Sequence, residues 1–345
     1  MNWKIMGIIM FVAWTCYLGI ALADKGFIIH PDGSVSINGV EFGSVQNYVT
    51  SDYFKKNNMR CGTRPEGRVT PADNPSAVPG DCSLYLTRIA AEYAPERVAL
   101  VIPVYFHVIY KNDGTGNIPD QRIHDQMQVL NEDFRAMANT MGSQGEDTMI
   151  QFDLVQITRT QNDTWFDDLD MTNCKSTLGV DQTRNLNIYT NSAGGYLGYA
   201  YLPQEDAGSI EDGIVMLHDT IGGRDNGFSI YNQGRTLVHE AGHYLGLLHT
   251  FDSYNCENAY SSGDLIVDTP SESVEHYACS QTNTCNTPDP IYNYMNYTPD
   301  SCMHEFTPEQ ANRMVCSLIN YRPLAYSSIP VSKLTPGMFN LLLEN

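Results

Sequence analysis

The 345-residue sequence predicts an α+β domain. In it a mixed, twisted sheet has one backing helix and a second helix bearing histidines, above a loop-rich lower half closed by a C-terminal helix. Three observations predict this. Val98–Tyr110 is an apolar run rich in β-branched and aromatic residues, hence a buried strand. Ile123, Met127, Leu130, Phe134 and Met137 keep the alternating spacing of an amphipathic helix, with Asp120 placed to cap it. His239 and His243 lie in a run whose other members, Leu237, Val238, Ala241, Tyr244, Leu245 and Leu248, are those of a buried core helix.

The remaining elements follow in chain order. Lys4 precedes an apolar run from Ile5 to Ile20, and Ala21-Leu22-Ala23 ends it with small residues, so residues 1–23 read as a secretory signal peptide. The alternative is an uncleaved anchor, for which the run is just long enough. Cys16 lacks the small residue expected before a lipid-bearing cysteine. Residues 24–80 collect Gly, Pro, Asn and Asp without sustained periodicity, with basic residues from Lys55 to Arg68. They read as a propeptide whose end falls between 63 and 97, with Arg64, Arg68, Arg88 and Arg97 as processing points. The main domain then spans 81–325, with strands around Phe152–Thr158, Leu186–Thr190 and Ile214–Leu217 and a tight loop at Gly194-Gly195 and Gly198. Thr307-Pro308-Glu309-Gln310 combines an N-cap, a proline at the first helical position and Gln three residues on, a strong helix start. Ala311, Met314, Val315 and Leu318 give that helix its apolar face, and residues 326–345 read as a loose tail.

The chemistry is concentrated in His239-Glu240-Ala241-Gly242-His243-Tyr244-Leu245-Gly246-Leu247-Leu248-His249. On a helix His239 and His243 project from one face, one turn apart, and together can hold a zinc ion. Glu240, next to the first of them, can reach a water held by the metal and act as general base. Gly246 can take the left-handed conformation that ends the helix, and the turn brings back His249 as a third ligand. Three protein nitrogens leave one tetrahedral position open, the pattern of a catalytic site. The alternative of three core histidines and a carboxylate buried with no partner is costly.

This motif resembles that of the metzincin clan of zinc endopeptidases. His249-Thr250-Phe251 and the later Met295-Asn296-Tyr297 are similar to the pappalysin family within it, over about Val101 to Tyr321. The resemblance implies a Met-turn in which Met295 forms an apolar floor under the zinc and Tyr297 donates a hydrogen bond to the oxyanion. It also implies that Asp300 closes the pocket receiving the residue after the cut bond, where a carboxylate would pair with Arg or Lys; a solvated loop aspartate is the alternative. Asp264 and Thr269 resemble a calcium loop of the family. Of nine cysteines, eight remain once Cys16 leaves with the leader. Cys256, Cys279, Cys285 and Cys302 allow three pairings, of which the resemblance favours Cys256–Cys285 and Cys279–Cys302. Cys61, in Met59-Arg60-Cys61-Gly62-Thr63, looks like the cysteine switch of pappalysin-type propeptides, which would fill the open zinc position and keep a precursor latent. The alternative is a Cys61–Cys82 staple, and the partners of Cys82, Cys174 and Cys316 stay open.

Twenty basic against forty acidic residues give a net charge of −20, which argues against nucleic acid and against adsorption to anionic lipid. Once the leader is removed, no later segment could cross a membrane. The expectation is thus a secreted zinc endopeptidase acting on proteins or peptides, with one catalytic zinc and a possible calcium, and with its oligomeric state open. The competing expectation is an inactive zinc-binding adhesion protein on the same fold, against which the retention of Glu240, all three histidines and Tyr297 speaks.

Overall fold

The computed structural model describes residues 26–63, 82, 93, 98–223, 228–252, 256 and 263–330. The leader at 1–23, the processing points Arg64, Arg68, Arg88 and Arg97, and the tail beyond residue 330 lie outside them.

The N-terminal segment departs from the expectation of irregular chain. Strands β1 (Ile28–Ile29), β2 (Val35–Ile37) and β3 (Val40–Phe42) form a small antiparallel sheet, followed by helices α1 (Val45–Val49) and α2 (Asp52–Lys56). Ser44 and Ser51 cap the two helices, their side chains accepting from Asn47 and Phe54 N–H. Strands of two or three residues give no legible period, so the signal lay in composition. Phe27, Ile29, Val35, Ile37, Tyr48 and Phe54 are all buried, and they pack with Ala193, Tyr196, Leu197 and Tyr199 of the main domain.

The main sheet begins with β4 (Val98–Tyr110), whose boundaries match the sequence reading. Helix α3 (Asp120–Phe134) follows, then β5 (Ile150–Gln161), short helices α4 (Asp163–Phe166) and α5 (Met171–Leu178), and β6 (Leu186–Asn191). Next come β7 (Gly198–Ala200), α6 (Pro203–Asp206), β8 (Ile214–Leu217) and α7 (Arg235–Tyr244). After a long loop region, α8 (Pro308–Tyr321) and β9 (Ser327–Pro330) complete the chain. The strand order is β5-β4-β6-β8-β7, parallel except for the antiparallel edge strand β7, and β9 pairs antiparallel with the start of β4.

Alternation along the strands divides the core. Ile102, Val104, Phe106 and Val108 of β4 face Ile123, Met127 and Leu130 of α3 and Leu237, Val238 and Ala241 of α7. Tyr189, Val215 and Leu217 point the other way, into the cluster shared with the N-terminal segment. A buried ion pair, Arg235 Nε to Asp133 Oδ2 at 3.1 Å, joins α7 to α3.

Three local expectations are corrected. Pro119, not Asp120, is the N-cap of α3 and no side chain caps it; Asp120 is the first helical residue and pairs with Arg159. Gly198 belongs to a strand, not a loop, paired with Met216 of β8, and it is glycine because α7 passes too close for a side chain: a Cβ there would lie 2.9 Å from Glu240 Cγ. The tail read from 326 onward is structured at its start. The lower half of one β4 edge is free below β6, and the backbone of Ser327–Pro330 pairs there with Val98–Val101.

Candidate active site

Helix α7 starts after Gly234, at φ +79°, and ends in a Schellman turn. Gly246 N–H donates to His243 O at 2.8 Å and Leu247 N–H to Gly242 O at 2.9 Å, with Gly246 at φ +92°. The reversal carries His249 back to the helix. His243 Nε2 lies 3.2 Å from His239 Nε2 and 3.0 Å from His249 Nε2. Each ring is held from behind at Nδ1: by Tyr294 O at 2.7 Å for His239, Leu247 O at 2.8 Å for His243, and Asp252 Oδ1 at 3.2 Å for His249. A carbonyl only accepts, so Nδ1 of His239 and of His243 carries the proton and the Nε2 lone pairs converge. Burial holds His239 and His243 neutral, well below the ordinary histidine range, and the neighbouring imidazoles add to this.

Cys61 comes to the same cluster. Cys61 Sγ and the three histidines bring their ligand atoms within 4.8 Å of one another. Burial first, then the Glu240 carboxylate, push the Cys61 thiol well above its ordinary range. A divalent cation held by these four residues would reverse that balance, since it would favour the thiolate form. Three imidazoles and a thiol, with nitrogens oriented from behind, fit zinc. Cys61 is not stapled within the N-terminal segment: Cys82 is bonded to Cys316 on α8, leaving Cys61 and Cys174 free among the described residues.

Glu240 sits beside the cluster, fully buried. Its Oε2 accepts from Cys61 Sγ at 3.4 Å and Thr63 Oγ1 at 3.1 Å, while Oε1 has no partner. Burial pushes its carboxyl up to about 7, opposed by the positive charge of Arg60 and by these hydrogen bonds. Residues 60–63 lie along the edge strand. Gly62 N–H donates to Gly198 O at 2.9 Å, and Ala200 N–H donates to Thr63 Oγ1 at 2.8 Å. A Cβ at Gly62 would lie 2.9 Å from Tyr196 Cδ2, so glycine is required for this approach.

Below the cluster, Met295 Sδ fills the notch opposite Gly242, where a Cβ would come within 2.5 Å of it. Tyr297 packs with Cys61 and Phe251, and burial raises its phenol well above the ordinary range. The loops are braced by Cys256–Cys285 and Cys279–Cys302, the crossed pair the resemblance favoured. Asn296 donates to Glu272 Oε1 at 2.9 Å, and His276 lies 3.2 Å from Glu272 and 3.1 Å from Asp289. Asp300 is fully buried: its Oδ2 accepts from Gln233 N at 2.9 Å and Arg235 N at 3.2 Å, and its Oδ1 has no partner. Asp264 accepts from Ile266 N at 3.1 Å and from Thr269 Oγ1 at 2.8 Å, and burial pushes its carboxyl up to about 8.

The sequence assigns no part in the site to the Thr63 hydroxyl or to Asp252, and it marks Gly198 only as a loop glycine. Asp252, three residues beyond His249, was the one with a signal in its spacing; the others acquire their contacts only through the fold.

A family model described as pregnancy-associated plasma protein-A matches residues 178–319. An extracellular metalloprotease of Colletotrichum graminicola is 38% identical over 234 residues, 65% of this chain and 78% of that protein. One of Arthroderma benhamiae is 35% identical over 232 residues, 65% and 79% of the two chains. The structure of mature mirolysin of Tannerella forsythia in complex with a cleaved peptide is 32% identical with a TM-score of 0.56, covering 68% of this chain and all of that one.

Proposed function

From a chain that belongs to the pappalysin family of metzincin zinc endopeptidases, we propose a secreted protease, made as a latent precursor, that cuts polypeptides on the N-terminal side of Arg and Lys. The observation that carries this is the convergence of three imidazole Nε2 atoms, with Glu240 beside them and Cys61 at the fourth corner. Relatives named extracellular metalloproteases and three disulfides support export.

His239, His243 and His249 are assigned as the zinc ligands. When bound, zinc supplies Lewis acidity, polarising both the attacking water and the peptide carbonyl. Glu240 takes the proton from that water and hands it to the leaving amine. The Tyr297 hydroxyl donates to the oxyanion, and Met295 supports the histidines from below. Tyr297→Phe is expected to lower kcat on the order of 10²-fold with zinc retained; unchanged kcat with full metal content would take Tyr297 out of the reaction. The overall test is a digest of denatured proteome by the activated protein, with and without a chelator, read for cleavage positions. No chelator-sensitive cleavage would favour the inactive binding protein.

Cys61 is assigned as the latency switch. Cys61→Ala is expected to release activity from the precursor or speed its self-processing, measured as peptide hydrolysis against time. A Cys61→Ala precursor as inert as the parent would refute the switch. Residues 24–80 then act as a propeptide, with the mature domain following. For calcium, Asp264 offers a buried carboxylate that a bound cation would hold ionised. Calcium is expected to raise the Tm of the parent and not of Asp264→Asn; an equal rise in both would remove that site.

A further inference from the structure

We propose that Glu272, His276 and Asp289 form a second zinc site, structural and not catalytic, which braces the loops around the Met-turn. None of the three is a ligand or base in the reaction assigned above, so the inference goes beyond that reading and stands without it. Glu272 and Asp289 are buried, while the His276 side chain is 11% exposed and leaves a way in. His276 Nε2 lies 3.2 Å from Glu272 Oε2 and 3.1 Å from Asp289 Oδ2, and the three residues bring one ligand atom each within 4.8 Å of one another. Those separations match the 3.2 and 3.0 Å between Nε2 atoms in the histidine cluster on α7. Zinc at about 2.0–2.1 Å from each ligand sets tetrahedral neighbours about 3.3 Å apart, so both clusters are spaced for it.

The carboxylates are oriented from behind, as the imidazoles of the first cluster are. Asp289 Oδ1 accepts from Thr284 N at 3.0 Å and from Thr284 Oγ1 at 2.8 Å. Glu272 Oε1 accepts from Thr250 Oγ1 and, at 2.9 Å, from Asn296 Nδ2. The second oxygen of each faces His276. An ion pair alone accounts for less of this arrangement. Nε2 carries at most one proton, yet Glu272 Oε2, Asp289 Oδ2 and, at 3.2 Å, Thr282 Oγ1 all gather at it. A hydrogen bond weakens steeply off its line, so one proton cannot serve them all. Two carboxylates against one imidazolium also leave a buried negative charge over, and among the described residues no Lys or Arg pairs with either. A divalent cation beside a neutral imidazole balances the charges. The ring nitrogen selects zinc over calcium, which takes oxygen ligands.

Such an ion would act on the loops at one remove. Glu272 holds Thr250, next to His249, and Asn296, between Met295 and Tyr297. His276 and Asp289 stand just outside the crossed disulfides, before Cys279 and after Cys285. With a single imidazole and no thiol, the site is weaker than the cluster on α7 and fills when zinc is added.

The test uses the full-length chain carrying Glu240→Gln, which prevents self-processing, isolated with about one zinc. Zinc alone is titrated in, with uptake read by calorimetry and by metal content. The parent is expected to take up one further zinc and to gain about 5 °C in Tm at a hundredfold excess over Kd. His276→Gln and Asp289→Asn should each lose the uptake and the Tm gain while keeping the first zinc. His243→Ala, which loses the first, should keep the second uptake. A parent that takes up no further zinc overturns the inference, whatever the variants do, and so does a second uptake that survives in folded His276→Gln. Calcium alone should shift the Tm of the parent and of His276→Gln equally; a calcium shift lost with His276 would overturn the assignment to zinc.

Discussion

Activated Glu240→Ala is expected to retain about one zinc per chain while proteolysis falls by about 10²–10⁴-fold, the range for losing a positioned general base. The expectation comes from the division of labour around α7. The convergent atoms belong to His239, His243 and His249, whereas Glu240 points its Oε2 at Cys61 and Thr63 and leaves Oε1 without a partner. Removing the carboxylate therefore leaves the ligand set intact. His243→Ala should lose both metal and activity, because its ring is the one within 3.2 Å of both others. Metal content by mass spectrometry and hydrolysis of a quenched peptide check the pair. Undiminished cleavage by a clean, metal-loaded Glu240→Ala preparation would remove the mechanism.

Asp300→Asn is expected to erase the proposed preference for Arg and Lys after the cut bond while zinc binding and the chemistry of Glu240 persist. Asparagine is the informative replacement. Its side-chain oxygen can keep accepting from Gln233 and Arg235 N–H, which Asp300 Oδ2 now does at 2.9 and 3.2 Å, so the segment around Tyr231 stays in place. What changes is the charge, and the partnerless Oδ1 becomes a donor. A guanidinium entering the pocket then meets no anion, and a loss on the order of 10²-fold in kcat/KM for basic substrates follows from breaking a buried charge pair. The digest profile decides it: the same basic preference in parent and variant would place the specificity elsewhere.

Much of the centre of this molecule was legible because its signals are local. The spacing of His239 and His243, the glycine at 246 and the capping box at Thr307 each act within a few residues, and α7, its terminal turn and α8 form accordingly. The run Val98–Tyr110 is long enough for its period to be unmistakable. What escaped reading depends on distant partners. Phe27, Tyr48 and Phe54 become a core only against Tyr196 and Tyr199, and nothing in strands of two or three residues announces that. Cys82 finds Cys316 across 234 residues, and the backbone of Ser327–Pro330 becomes a strand only because β4 leaves an edge there. Gly198 reads as a loop glycine until Glu240 is seen to need its missing side chain.

On the latency proposed above, the Cys82–Cys316 bond would separate being cut from being switched on. While residues 26–63 remain on the same chain, they meet the site at an effective concentration on the order of millimolar. A nick between Thr63 and Cys82 lets that segment diffuse away, and dilution makes the loss irreversible. A nick beyond Cys82 would leave it moored to α8 through Cys316, at nearly the same local concentration, and the proposed switch would keep such a chain silent. Reduction of one disulfide would then be a second input, and the position of the nick relative to residue 82 would decide whether the enzyme answers to a protease alone or to a protease and a reductant together.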